Sequence, residues 1–313
     1  MFKQLGVPLL GIVENMSVFI PPDMPSKKYE IFGKGGGQTL AKENDLPLLA
    51  QIPIEIPLVD ESNKGLPISI SQPNKESSVV FGNLAKLGLK TGLLDADIYG
   101  PNTPSMMGVA EQNPKVTEGS GSDQRLIPIN KYGISLVSMG FLIEEGQPVI
   151  WRGPMLNSII RQFLYQVEWN NLDFLVIDLP PGTGDAQISL SQSVPISGAI
   201  VVTTPQQVSL QDARRGLAMF KQLGVPLLGI VENMSVFIPP DMPGKKYEIF
   251  GKGGGKILAK ENDLPLLAQI PIEIPLVDDS NKGVPISISQ PNKESSVVFG
   301  NLAQLIKNQF VNT

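Results

Sequence analysis

The chain contains no cysteine and no histidine. The first absence excludes disulfides, thiolate zinc sites and thiolate-held iron–sulfur clusters built from its own residues. The second removes imidazole as base, proton shuttle or metal ligand. Chemistry is left to carboxylates, lysines, hydroxyls or a bound metal. No uncharged apolar run of the length a helical span requires is present, so no membrane partner is expected. The N-terminus lacks the basic, apolar and small-residue succession of a secretion signal, and a cytoplasmic location is the expectation. A basic stripe is also missing: 25 Lys and Arg stand against 30 Asp and Glu, a net charge of −5. That balance argues against a nucleic-acid partner.

What is present describes an ordinary globular protein. Of 313 residues, 42% are hydrophobic and 18% charged, enough for one large domain or two modest ones. The 31 Gly and 28 Pro predict many turns. The most informative feature is a repeat. Residues 1–87 return as residues 219–305 without a gap, and only six paired positions differ: Ser26/Gly244, Gln38/Lys256, Thr39/Ile257, Glu61/Asp279, Leu66/Val284 and Lys86/Gln304. Two long copies separated by unrelated sequence do not fit a solenoid, which stacks three or more short units. A duplication, fusion or chimeric gene fits better. Met1 coincides with Met219, an ordinary mid-helix position, so the repeat is expected to extend upstream of Met1.

Short apolar runs ending in turn residues read as strands: Pro8 to Val13, Lys90 to Asp95, Phe174 to Asp178, Ala199 to Thr203 and Pro226 to Val231. Continuous apolar runs of this length are the habit of parallel strands covered on both faces. Helical patterns lie between them. Pro154 opens one with Met155, Ile159, Ile160, Phe163, Leu164 and Val167 as its apolar stripe. Ser209 is the expected cap of another, with Leu210, Ala213, Leu217 and Phe220 inward and Gly224 as its stop. A third runs from about Lys75 to Leu87, copied at Lys293 to Leu305, and residues 111–125 read as a surface loop. The alternation predicts an α/β fold with a doubly wound, mostly parallel sheet and ligands at the carboxyl ends of its strands.

Two carboxylate clusters stand at such ends: Leu93-Leu94-Asp95-Ala96-Asp97-Ile98-Tyr99-Gly100-Pro101 and Phe174-Leu175-Val176-Ile177-Asp178-Leu179-Pro180-Pro181-Gly182-Thr183-Gly184-Asp185. An apolar strand ending in Asp, then a Gly-rich loop, is how phosphate-binding folds hold Mg²⁺ and a switch loop. These stretches resemble the Mrp/ApbC-type ATPases, iron–sulfur cluster carriers related to MinD and ParA. The resemblance continues through Trp151-Arg152-Gly153-Pro154-Met155, Thr203-Thr204-Pro205-Gln206, Val231-Glu232-Asn233-Met234-Ser235 and Phe250-Gly251-Lys252-Gly253-Gly254-Gly255. It covers essentially everything from about Asn83 onward.

The resemblance implies a P-loop NTPase fold of the MinD/ParA type, with ATP and Mg²⁺ as cofactors. It implies that Asp97 positions the attacking water and that Asp178 supports Mg²⁺ through water. Gly182, Thr183 and Gly184 would form the switch loop near the γ-phosphate. Asn233 would read the adenine edge, and Pro271, within Pro271-Ile272-Glu273, would belong to the segment that closes over the base. A homodimer and iron–sulfur client proteins are the partners it implies.

Two departures qualify it. The family's first strand ends in a deviant Walker A loop, KGGVGKST, and no G-x-x-x-x-G-K-[ST] occurs here. Gly33-Lys34-Gly35-Gly36-Gly37 and Gly251-Lys252-Gly253-Gly254-Gly255 offer glycines for an anion nest. Their spacing is wrong, however, and both belong to the duplicated C-terminal segment. The family's C-P-x-C pair is also missing, with Phe237-Ile238-Pro239-Pro240-Asp241-Met242-Pro243 in its place, so an iron–sulfur cluster is not supported. The chain therefore divides into residues 1–88, a copy of the C-terminal segment, and residues 89–313, an ATPase-like core whose first P-loop strand is replaced or absent. Asn83-Leu84-Ala85 marks the crossover. Leu48 to Pro53 is a candidate for the vacant central strand, and the alternative is a first copy that hangs loose.

Three functions compete at this level. They are an ATP-hydrolysing iron–sulfur carrier, a non-catalytic pseudo-ATPase or chimeric product keeping a dimerisation or partner surface, and a DNA-partitioning ATPase. The acidic balance disfavours the last. The missing Walker A favours the second for this molecule, with Mg-ATP affinity lowered at least about a hundredfold by the loss of several charge-assisted hydrogen bonds at ~1.5–3 kcal/mol each.

Overall fold

The computed structural model describes residues 9–54, 83–97, 100–118, 124–142 and 153–311. Met1 to Pro8, the 75–82 part of the predicted helix, Ile98-Tyr99 and Trp151-Arg152 lie outside the described residues. The protein is α/β with mostly parallel sheets. Strand β3 (Thr91–Asp95) is its most buried element, all five residues being buried. It pairs in parallel with β7 (Ile134–Ser138) on one side and β8 (Phe174–Asp178) on the other. β6 (Ile129–Lys131) adds antiparallel to β7. A second sheet has β10 (Leu227–Glu232) at its centre, parallel to β9 (Ala199–Thr203) and β11 (Leu266–Gln269).

Successive strand residues point to opposite faces, and each face of β3 has its own core. Leu93 joins Leu136, Val231, Ile270, Phe299 and Leu302, which places the helix Glu294–Val311 over one side. Leu94 joins Val137, Leu156, Ile160, Phe163 and Leu190, under the helices Gly153–Tyr165 and Asp185–Ser193. Val176 of β8 and Ile200 of β9 pack against the same first cluster. The two sheets thus share a core. Among the described residues, however, no strand pairs with the second edge of β8 or of β9.

Local details depart from the sequence expectation where caps and stripes are concerned. The helix Gln207–Gln222 begins two residues before Ser209, with Gln206 in extended backbone at its cap, so Ser209 lies inside the first turn. Leu210, Ala213, Leu217 and Phe220 are buried as their spacing implies. In the helix Gly153–Tyr165, Met155 faces solvent and Leu156 takes the inward place, because the helix rotates Ile160 and Phe163 into the core. Within residues 111–125, β4 (Lys115–Val116) pairs antiparallel with β5 (Leu126–Ile127). No helix among the described residues is long and apolar enough to cross a membrane.

The described strands of the first copy pair as those of the second do. β1 (Ile12–Phe19) pairs in parallel with β2 (Leu48–Ile54), Ile12 opposite Leu48 and Val13 opposite Ala50. The second copy sets Ile230 opposite Leu266 and Val231 opposite Ala268. Leu48 to Pro53 therefore stays with its own copy and does not enter the core sheet, contrary to one sequence expectation. The reason is that β1 offers the same partner edge that β10 offers β11. The described residues of the first copy do not hang loose either. They dock on the second copy through Phe19, Tyr29, Ile31 and Ile54 against Phe237, Tyr247, Ile249 and Ile272.

Ion pairs rim that contact. Lys27 pairs with Asp241, and Lys245 with Asp23 at 2.6 Å. The Lys245 hydrogen bond holds Asp23 below its ordinary value of 3.8, and the Lys27 bond does the same for Asp241. A carboxylate lowered on docking stabilises the docked form above the ordinary value and loses that effect as pH falls through the lowered one. Both lysines are raised from 10.5 by the same bonds, so their contribution fades only above that value. Docking is therefore expected to hold between these limits and to weaken in acid. Rate-corrected hydrogen exchange of residues 19–31 at neutral and acid pH checks this, with equal protection in both as the contrary result.

Candidate functional site

The carboxylates at the ends of β3 and β8 are brought together by strand pairing. Asp95 stands in register with Asp178, and the Ala96 N–H donates to the Asp178 carbonyl at 2.9 Å. Asp95 is fully buried. Its Oδ2 accepts from the Ser138 hydroxyl at 2.9 Å, and its Oδ1 from the Asp97 N–H at 3.1 Å. The Ser138 oxygen in turn accepts from the Gly140 N–H at 2.9 Å. This chain of bonds fixes the turn that carries buried Asp97. Sequence reasoning singled out Asp97 and Asp178; it left out the Asp95–Ser138 pair that positions the turn. The signal was there, a second Asp two residues before Asp97 and at the strand's last position.

The loop after β8 is held from below by Gln187. Its Nε2 donates to the Pro180 carbonyl at 2.7 Å and the Gly182 carbonyl at 3.2 Å. Gly182 has φ +94°, open to glycine without strain, and Gly182, Thr183 and Gly184 are exposed. Gly184 caps the helix Asp185–Ser193. Gln187→Leu is expected to lose about 1–2 kcal/mol of stability and to speed exchange of the 179–184 amides. Unchanged exchange there in a urea-matched comparison would contradict this role.

Asn233 and Pro271 belong to the other sheet, after β10 and β11. The Asn233 Oδ1 accepts from the Met234 N–H at 2.7 Å, and its own N–H donates to the Thr203 carbonyl at 2.7 Å. Met234 sits at φ +53° in this turn, and Asn15 makes the same bond to Met16 in the first copy. Pro271 is buried between Ile270 and Ile272. Glu273, next in line, accepts from the Ser295 N–H at 2.9 Å and hydroxyl at 2.7 Å.

The Gly-rich loops are already committed to the chain itself. The Gly255 N–H donates to Glu232 at 2.5 Å, and Gln269 Nε2 donates to the other oxygen of Glu232 at 2.7 Å. A Cβ on Gly255 would stand 2.7 Å from the Glu232 Cβ, and one on Gly254 would stand 2.4 Å from the Pro205 carbonyl oxygen. These glycines let the helix Gly254–Glu261 approach β10. In the first copy the Gly37 N–H donates to Glu14 at 3.0 Å, and Gln51 to the same carboxylate at 2.5 Å. Those bonds, Gln51 first, hold the Glu14 carboxyl below its ordinary value.

Positive charge is scarce where a triphosphate would lie. Among the described residues, the loops after β3, β8 and β9 carry no lysine or arginine. After β10, Lys245, Lys246 and Lys252 pair with Asp23, Glu294 and Glu248. No cluster of three or more metal-ligating side chains occurs among the described residues. Among the described residues the loops after β3 and β8 thus supply carboxylates and no cationic side chain toward a phosphate.

A profile described as ParA: NUBPL iron-transfer P-loop NTPase matches residues 1–87 and again residues 78–307, the second match spanning the core. An iron–sulfur cluster carrier protein of Synechocystis sp. is 58% identical over 223 residues, covering 71% of this chain and 63% of that protein. The chain thus spans under two thirds of that relative's length. A nucleotide-binding protein from Archaeoglobus fulgidus, solved in complex with ADP, superposes with a TM-score of 0.58 at 31% identity over 71% of this chain and 84% of that one. The Pyrococcus furiosus cell division ATPase MinD gives 0.55 at 20% identity over 75% and 93%, a likeness of fold alone. With the parallel strands, the paired strand-end carboxylates and the profile match all on the same residues, the chain belongs to the NUBPL iron-transfer P-loop NTPase family of the ParA type.

Proposed function

We propose that this chain is a family member without competent ATP binding, a pseudo-ATPase that keeps the iron–sulfur carrier scaffold and its client-facing surfaces. The observation that carries this reading is the open pair of strand edges. Among the described residues β8 pairs only with β3, and β9 only with β10. On one side of that break stand Asp95, Asp97 and Asp178. On the other stand Asn233 and Pro271, the residues proposed to meet the base. A Walker A strand supplies the amide row, helix N-terminus and lysine that neutralise the phosphates, and no described residue takes that place. The Glu232 and Glu14 carboxylates occupy the Gly-rich loops that are the remaining candidates. In this reading thiolate cluster carriage is absent as well, since the chain has no cysteine.

The test is an equilibrium titration of the full chain with a fluorescent ATP analogue and Mg²⁺, beside Asp178→Asn. No saturable binding, or binding at least about a hundredfold weaker than that of a Walker A-bearing relative, is expected. The variant should match the parent. Micromolar binding that weakens in Asp178→Asn contradicts the proposal. The reading then becomes an ATP-dependent iron–sulfur carrier, which the identity to the Synechocystis protein favours.

A further inference from the structure

The contact between the two copies has a two-fold character. Asp241 accepts from Lys27 and from the Tyr29 hydroxyl, the latter at 2.9 Å. Asp23 accepts from Lys245 at 2.6 Å and the Tyr247 hydroxyl at 3.0 Å. Residue for residue, these are the same interaction with the copies exchanged. Phe19 meets its own counterpart Phe237 edge to face at 5.6 Å. Phe19 also meets Tyr247 at 5.6 Å, and Tyr29 meets Phe237 at 5.4 Å, again a reciprocal pair. Reciprocity of this kind defines an isologous interface, which is normally made between two identical subunits. None of the six positions at which the copies differ is a residue of this contact.

Two consequences follow from the identity of the faces. The face around Phe237, Asp241, Lys245 and Tyr247 complements itself, so the same face on a second chain satisfies each of these bonds. Its charges are arranged for that: each copy carries one Asp and one Lys, and each is met by the opposite sign across the contact. The first copy belongs to the same chain and presents the identical surface at the high effective concentration of a tethered partner.

We infer that the first copy acts as an internal cap, filling in cis a self-recognition face of the C-terminal copy whose other occupant is a second copy of this chain. The full chain is therefore held as a monomer at that face, and displacing the cap releases it for dimerisation. This inference does not rest on the nucleotide site and survives either outcome there.

The test uses the intact chain, light and heavy-isotope preparations mixed in equal amounts and coupled with a carbodiimide, which joins a lysine amine to a carboxylate as an amide with loss of water. Ser26 and Gly244 tell which copy a coupled peptide comes from. Lys27–Asp241 and Lys245–Asp23 products of a single isotope are expected. Mixed-isotope products, or none at these pairs, overturn the inference. A second arm measures mass in solution by light scattering. Phe19→Asp should expel the cap and double the mass, and Phe19→Asp with Phe237→Asp should return it to the monomer. A Phe19→Asp chain that stays monomeric, or a double variant that still dimerises, contradicts the inference whatever the fold of the displaced segment.

Discussion

Val231→Asp is expected to abolish cooperative folding, while Val13→Asp, the same substitution at the same place in the repeat, is expected to change stability by less than about 0.5 kcal/mol. The two valines share their neighbours in sequence from Met1/Met219 onward. They do not share an environment. Val231 is 2% exposed, at the centre of a three-stranded sheet, within the cluster of Leu93, Ile270 and Phe299. Val13 is 51% exposed and lies on a strand with one described partner. A carboxylate at Val231 forfeits the burial of the valine and places an unpaired charge in the core, upward of about 4 kcal/mol. That approaches the whole stability of an ordinary domain, about 5–15 kcal/mol. Urea unfolding followed by circular dichroism reads both. Equal effects in the two copies would contradict the described burial.

Glu232→Ala is expected to lose about 2–4 kcal/mol, and Glu14→Ala about 1 kcal/mol or less. Each carboxylate joins a Gly-rich helix start to a glutamine on the neighbouring strand. Glu232 is fully buried, so its removal leaves the buried Gly255 N–H without an acceptor, while the exposed Gln269 amide turns to solvent. Glu14 is only half-buried, and solvent takes over its two donors. The Glu14 carboxyl is held below its ordinary value of 4.5, so its contribution to the first copy is present above that pH and fades as pH falls through the lowered value. Comparing the urea midpoints of the two variants checks the difference. A larger loss in Glu14→Ala is the contrary result.

The repeat shows what is legible in a sequence and what is not. The runs Thr91 to Asp95 and Phe174 to Asp178 read as strands because continuous apolar residues with covered faces admit little else, and their pairing brings Asp95 and Asp178 into register. Leu10 and Leu228 sit in identical local sequence, yet Leu10 is 82% exposed and Leu228 half-buried. What differs is β9, which flanks β10 and has no described equivalent beside β1. Burial is thus decided by a separate strand that pairs alongside, and no local pattern reports it. The same holds for the destination of Leu48 to Pro53 and for the docking of Phe19 on Phe237. Smaller misses have smaller causes. Ser209 was a plausible cap in a helix that starts earlier, and Met155 a plausible inward residue in a helix turned by Leu156. Gln187 and Ser138 act through two hydrogen bonds each, which leave almost no periodic trace.

The second edges of β8 and β9 are unpaired among the described residues, and hydrogen exchange of the full chain with and without Mg-ATP measures them directly. Among the amides of β8 and β9, those not bonded to β3 or β10 should exchange much faster than the amides of β3 and β10, and Mg-ATP should leave them unchanged. Protection of β8 and β9 equal to that of β3, deepened further by Mg-ATP, would mean that a strand and a phosphate cradle stand between them and the pseudo-ATPase reading is wrong.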